Sequence, residues 1–235
     1  MPTFYQPELS LEAPMLPSDE SRHCVKVLRQ QPGDSLTVVD GRGTFYEGTI
    51  TQAHPKACAF DIVRSWSEPV PSYSIHLAIA PTKNLDRTEW LVEKAVEIGV
   101  NELSFIRCDH SERRVLKTDR LLKKAIAAMK QSGRATLPVV HELQPLERFL
   151  AQDNSAKSLQ QFMAYVNPDN PHHLAHAARS GSSYVILVGP EGGFSQQEVA
   201  HAKDSKYSIV SLGPYRLRTE TAGLMACATL QLVNQ

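Results

Sequence analysis

Between Ser65 and Ser74 the chain reads SWSEPVPSYS, and the spacing of apolar residues changes across that stretch. Two prolines among polar residues cannot continue a helix or a central strand, so the stretch predicts a link between two segments that fold by different rules. Before it the apolar runs are short and of β type: SLTVVD, TFYEGTIT and CAFDIV, with the DGRG of 40–43 supplying the glycines of a hairpin turn. This pattern predicts a small β-barrel or sandwich over residues 1–70. Ahead of the strands, SDESRHCVKVLR has a capping-type serine followed by Cys24, Val25, Val27 and Leu28, which predicts a short helix with Arg22, Lys26 and Arg29 turned to solvent.

After the link, strands and helices alternate. SIHLAIA reads as a buried strand, and NLDRTEWLVEKAVEIGV as a helix opened by the capping-box pattern Asp86-x-x-Glu89 and stopped at Gly99. ELSFI is the next strand, a helix follows from about Thr118 to Ser132, and LPVV, QFMAYV and SYVILV are further strands. The alternation predicts an α/β domain over residues 71–235 with a mostly parallel sheet. Ligands of such sheets sit at the carboxyl ends of the strands, so the loops leaving the strands should carry the chemistry. A chain of 235 residues is long enough for both cores.

Composition narrows the classes. No apolar run approaches the ~20 residues of a membrane helix. The first residues lack the basic start and apolar centre of a secretory signal, so the expected location is cytoplasmic. Cys24, Cys58, Cys108 and Cys227 lie far apart without a C-x-x-C pair, which predicts reduced thiols and neither a zinc knuckle nor a disulfide framework. Formal charge is zero, yet from Arg107 to Arg134 bases outnumber acids, a basic stripe that reads either as a solvated helix face or as a surface for phosphates.

Two strand exits stand out. ILVGPEGGFSQQEV (186–199) runs from an aliphatic strand into Gly189-Pro190-Glu191-Gly192-Gly193, and Ser195-x-x-Glu198 caps a new helix. These glycines allow a tight turn or the close approach of backbone to a flat ligand, while the spacing matches neither a P-loop nor a dinucleotide fingerprint. The second, SLGPYRLRTETAGLMACATLQLV (211–233), places Arg216, Arg218 and Glu220 between a strand and a helix expected at Thr221–Val233. Charge on a short loop pinned by core at both ends is costly unless it is paired internally or used on a ligand. The helix is small and apolar all round, as expected for one buried on most sides or packed on another subunit. His172, His173 and His176 lack nearby acids or cysteines, so no metal is expected, and Trp90 reads as core.

Together these motifs resemble the RsmE-type 16S ribosomal RNA uridine-N3 methyltransferases of the SPOUT, or trefoil-knot, superfamily. The similar segments are LVGPEGGFS-x-x-E at Leu187–Glu198 and LG-x-x-x-LR-x-ETA at Leu212–Ala222. His23-x-x-x-Val27-Leu28-Arg29, the set Lys83, Glu89, Lys94, Glu97 and Gly99, and Gln131-Ser132 with Arg134 match further motifs in the same order. Lys130 stands where many relatives carry an acid, and Tyr215-Arg216 where they often have arginine then an aliphatic residue.

The resemblance implies a PUA-like β-barrel that helps bind RNA, a knotted α/β methyltransferase domain that binds S-adenosyl-L-methionine, and a homodimer acting on 16S rRNA or the small ribosomal subunit. It implies that the cofactor meets Leu187, Gly189, Pro190, Glu191, Gly192, Leu212, Gly213, Leu217, Thr221 and Ala222. Backbone groups of Leu212, Gly213 and Leu217 would read adenine, and Glu191 a ribose hydroxyl. Arg218 would stabilise the uridine imide anion and Glu220 orient Arg218. Arg22, His23, Lys26, Arg29, Lys83, Arg113, Arg114 and Arg134 would meet RNA. The alternatives are a related knotted methyltransferase on another RNA, or a non-enzymatic ribosome-assembly protein of the same fold.

Overall fold

In the computed structural model, residues 1–152, 159–166 and 172–235 are described. The chain forms two compact units, one of residues 1–70 with 126–137, the other of 71–125 with 138–235.

The first unit is built on a four-stranded sheet in the order β1 (Thr3–Tyr5), β2 (Ser35–Val39), β3 (Thr44–Gln52), β4 (Ala59–Ser67). β1 is parallel to β2 and the other pairs are antiparallel. The stretch before the first helix lengthens this sheet: Phe60 N–H donates to Pro14 O (3.1 Å) and Leu16 N–H to Cys58 O (2.9 Å). The DGRG hairpin forms as its glycines predict. Asp40 Oδ1 accepts from the N–H groups of Arg42 (2.7 Å) and Thr44 (3.0 Å), and Gly41 and Gly43 take φ of +76° and +100°. Inside lie Phe4, Leu16, Leu36, Val38, Ile50 and Phe60, with Cys24 and Cys58. The predicted short helix is present as α1 (Ser18–Arg22), but it runs on into a π-helical turn over His23–Val27, and Ser18 does not cap it: Pro17 holds that position.

The second unit carries a six-stranded parallel sheet in the order β10-β8-β9-β5-β6-β7: β5 (Ser74–Ile79), β6 (Glu102–Arg107), β7 (Val139–Pro145), β8 (Leu159–Ala164), β9 (Ser183–Val188) and β10 (Ser208–Val210). Its helices are α2 (Leu85–Ile98), α4 (Leu146–Leu150), α5 (Leu174–Ala177), α6 (Gln196–Asp204) and α7 (Thr219–Val233), while α3 (Asp119–Gln131) starts in this unit and ends in the first. One sheet face is covered by α4 and α6 over Ala78, Ile106, Val185 and Leu187. On the other lie α2 and α7, where a Cβ on Gly223 would stand 2.8 Å from Ile79 Cδ1 and 3.0 Å from Leu91 Cδ1, so the glycine lets α7 approach strand and helix closely.

Two local expectations are corrected. α2 is capped by Asn84, whose side chain accepts from Asp86 N–H, so the helix starts before the Asp86-x-x-Glu89 box; Gly99 ends it at φ +106° as expected. Trp90 is 46% exposed, because the buried stripe of α2 runs through Leu91, Val92, Ala95 and Val96 and Trp90 lies to one side of it. No helix among the described residues is long and apolar enough to cross a membrane.

Candidate active site at the strand-exit loops

The loop leaving β9 is closed by Gly193 N–H donating to Pro190 O (2.8 Å), with Gly193 at φ +74°. The predicted capping box is complete: Ser195 Oγ accepts from Glu198 N–H (3.2 Å) and Ser195 N–H donates to Glu198 Oε2 (2.8 Å). That box reaches across to the loop leaving β6. Ser195 Oγ donates to Asp109 Oδ2 (2.6 Å), Asp109 N–H to Glu198 Oε1 (2.9 Å), and His110 Nδ1 lies 3.1 Å from Gly193 O. A Cβ on Gly192 would stand 2.9 Å from His110 Cβ, so a side chain there would push the loops apart.

The loop leaving β5 joins the same group. Lys83 N–H donates to Glu191 Oε1 (3.1 Å), and Lys83 Nζ pairs with Glu112 at 2.7 Å. Arg113 Nε and Nη2 donate to the carbonyls of Thr82 (3.0 Å) and Lys83 (2.6 Å). Glu191 thus gives one oxygen to loop ordering, and Arg113 spends its guanidinium on backbone. Arg114 is exposed and pairs with no described residue.

The fourth loop ends at α7, which starts at Thr219 with Arg218 as its N-cap residue. Thr219 Oγ1 donates to Gly189 O (3.2 Å), which draws the last loop against the glycine turn. Leu212, Gly213 and Leu217 are half-buried, and their N–H groups donate to no described residue. Gly213 has φ +130°, and a Cβ there would meet nothing within 4 Å, so open space lies beside these donors. Leu187 and Pro190 are buried, Ala222 half-buried and Thr221 exposed.

Glu220 sits in the first turn of α7 and is buried, its Oε1 3.8 Å from Arg87 Nε and its Oε2 without a partner. The Arg218 guanidinium is exposed and bonded to no described residue. The cation facing Glu220 is therefore Arg87 of α2, which sequence reasoning missed: an arginine in a first helical turn carries no local sign of a partner more than a hundred residues away.

In the first unit, Arg22, His23, Lys26 and Arg29 are all exposed, Arg29 at φ +57°. Arg134 is mostly buried, with Nε 3.8 Å from Glu68, and Lys130 pairs with Glu20 at 2.6 Å. In the second unit Arg120 pairs with the buried Glu89 at 2.5 Å. Arg113, Arg120, Lys130 and Arg134 of the basic stripe are thus engaged within the protein. His173 caps α5 by accepting from Ala175 N–H, and among the described residues His172, His173 and His176 do not converge as a ligand set.

Comparison with known proteins places these loops in a family context. Residues 68–231 match the family model described as RNA methyltransferase domain, and residues 16–63 the one described as RNA methyltransferase PUA domain. A crystal structure described as a "probable rRNA-methyltransferase" of Porphyromonas gingivalis is 42% identical, with a TM-score of 0.90 over 100% of this chain and 98% of that one. The ribosomal RNA small subunit methyltransferase E of Neisseria gonorrhoeae, crystallised bound to S-adenosyl methionine, is 28% identical, with a TM-score of 0.84 over 100% and 98%. A curated relative of the same name from Rickettsia conorii is 28% identical over 227 residues, 93% of this chain and 89% of its own.

Proposed function

Since this chain belongs to the RNA methyltransferase family, and in it to the RsmE type with a PUA domain, we propose that it methylates N3 of one uridine of 16S rRNA, with S-adenosylmethionine as donor. The observation that carries the reading is the Thr219–Gly189 hydrogen bond. It ties the start of α7, which carries Arg218 and Glu220, to the glycine turn, and this supports reading the two loops as one site.

The residues present suit the cofactor. An adenine needs main-chain donors and a flat gap, and the unused N–H groups of Leu212, Gly213 and Leu217 border the space beside Gly213. Gly189–Gly192 form the ribose side, with Glu191 held by Lys83 and one oxygen left for a hydroxyl. When bound, S-adenosylmethionine supplies a methyl group activated by its sulfonium sulfur.

Uridine N3 is a weak nucleophile while it holds its proton, so the site must favour the imide anion. A guanidinium is a cation that donates as a planar fork, which fits Arg218 to O2 or O4 of the anion. Glu220 Oε1 faces Arg87 Nε at 3.8 Å, and its Oε2 has no partner among the described residues. Its free Oε2 is therefore assigned to accept a hydrogen bond from the bound substrate or from Arg218. Arg22, His23, Lys26 and Arg29 in one unit, and Arg114 in the other, are assigned to RNA phosphates, and Lys83 joins them only where a phosphate displaces Glu112 from it. Arg113 and Arg134 act on the protein itself.

The same family reading carries a trefoil knot in residues 71–235, a cytoplasmic location and a homodimer. α2 and α7 leave Trp90 and Met225 exposed, apolar surface suited to a second copy, and light scattering should give twice the chain mass. The deciding experiment is mass spectrometry of nucleosides from small subunits lacking the modification, incubated with the protein and S-adenosylmethionine. N3-methyluridine is expected. Another methylated nucleoside would move the activity to a different RNA atom, and none would leave a binding protein.

A further inference from the structure

At the strand-start end of the parallel sheet, opposite the loops that carry the proposed active site, three side chains from three adjacent strands converge. They are His76 of β5, Glu102 of β6 and His141 of β7. His76 lies three residues and Glu102 five residues before the ends of their strands, roughly 10 and 17 Å along them, so this cluster takes no part in the chemistry proposed above.

His76 and Glu102 are direct register partners, and His141 reaches the same face through an irregularity of β7. There Leu103 opposes Val140 but Phe105 opposes Leu143, so β7 holds an extra residue beside His141. Glu102 Oε2 lies 3.1 Å from His141 Nε2 and 3.7 Å from His76 Nδ1, and one donor atom from each residue falls within 4.8 Å of the others. Ligands about 2.1 Å from a tetrahedral ion stand roughly 3.4 Å apart, so these separations need small adjustment to close on one.

The His76 ring is held on its other side. Its Nε2 lies 2.8 Å from Ser104 Oγ, and the ring meets Phe149 edge to face at 5.5 Å. That is the outer-shell support ligating histidines usually have, since a partner on one ring nitrogen aims the other at the metal. The cluster opens into a cavity of about 330 Å³ also lined by Gln144, Gln152 and Tyr184, which gives room for water at remaining coordination positions. Glu102 and His141 are each nearly half exposed, so an ion can enter from solvent.

We propose that His76, Glu102 and His141 form a binding site for a divalent transition-metal cation that clamps the starts of β5, β6 and β7 together. Two imidazoles and a carboxylate suit Zn²⁺ and Co²⁺ better than Mg²⁺ or Ca²⁺, which prefer all-oxygen sites.

The test uses the full chain without an affinity tag, stripped with a chelator and titrated with Zn²⁺ by calorimetry and with Co²⁺ by visible absorption. One ion per chain is expected, with an intense Co²⁺ spectrum of low coordination number and a higher unfolding temperature. His141→Ala and Glu102→Gln change half-exposed side chains and should each weaken binding at least tenfold, and Ser104→Ala about tenfold through its support of His76. The double variant His173→Ala/His176→Ala should bind as the parent does. No stoichiometric binding by the parent chain, a Co²⁺ spectrum of a fully hydrated ion, or undiminished affinity in His141→Ala would each overturn the site.

Discussion

A carboxylate in the first turn of a helix is supported by unpaired backbone N–H groups, and Glu220 occupies that place on α7 while facing Arg87 at 3.8 Å. Arg218, one position outside the helix, has no such engagement among the described residues, which leaves its guanidinium free for the role proposed above. Arg218→Ala is therefore expected to slow methyl transfer by about 10²–10³, some 3–4 kcal/mol of barrier, while calorimetry shows the affinity for S-adenosylmethionine within a few-fold. Transfer near the parental rate would remove Arg218 from the chemistry. Buried thiols give a second prediction. All four cysteines are buried and unpaired by disulfides, and burial pushes the Cys227 thiol from 9.0 up to about 12. A thiol that titrates higher in the folded chain stabilises it fully below pH 9 and loses that contribution as pH rises toward 12. Hence a thiol reagent at pH 8 should label none of the four in the native protein and all four in denaturant, and the urea midpoint should fall between pH 9 and 12.

At the scale of elements, β3 and β4 meet at a point only glycine fits. A Cβ on Gly48 would stand 2.7 Å from Asp61 O, a backbone atom that cannot swing aside, next to the register shift at Glu47/Gly48. Gly48→Ala should destabilise the first unit by ~1–3 kcal/mol. In a Trp90→Phe background, Trp66, stacked on Phe45 at 5.2 Å, reports that unfolding by fluorescence; an unchanged urea midpoint would contradict the packing. Elements whose signal is local were legible in the sequence: the Ser195–Glu198 box, the Gly99 stop, the DGRG hairpin and the strands of the sheet. What escaped depends on distant partners. Asn84 displaced Asp86 as a cap because nearby residues compete for one role and only the path of the preceding strand decides between them. Residues 126–137 join the first unit although they follow residues 71–125 of the second in sequence, which no linear boundary expresses. The same reason hid His76, Glu102 and His141, which share no local pattern and meet only through sheet register and one irregularity.

For the whole molecule the question is how a chain with 25 basic and 25 acidic residues holds a polyanion. A uniform field is absent, so affinity must come from cations that are not already neutralised. Lys130 and Arg120 are matched by Glu20 and the buried Glu89, whereas Arg22, Lys26 and Arg29 are exposed with no ion pair among the described residues. Each phosphate contact contributes about 0.7–0.9 to the slope of log affinity against log salt, because its counterion is released on binding. Replacing Arg22, Lys26 and Arg29 by glutamine should thus make the slope shallower by roughly 2–3, as measured by filter binding to 16S rRNA over a salt series. Arg120→Gln or Lys130→Gln should leave the slope nearly unchanged and instead lower the unfolding midpoint, since the first strands the buried Glu89 and the second the mostly buried Glu20. Equal effects of the two groups on the salt slope would mean that the basic stripe meets RNA as a whole and that its ion pairs open on binding.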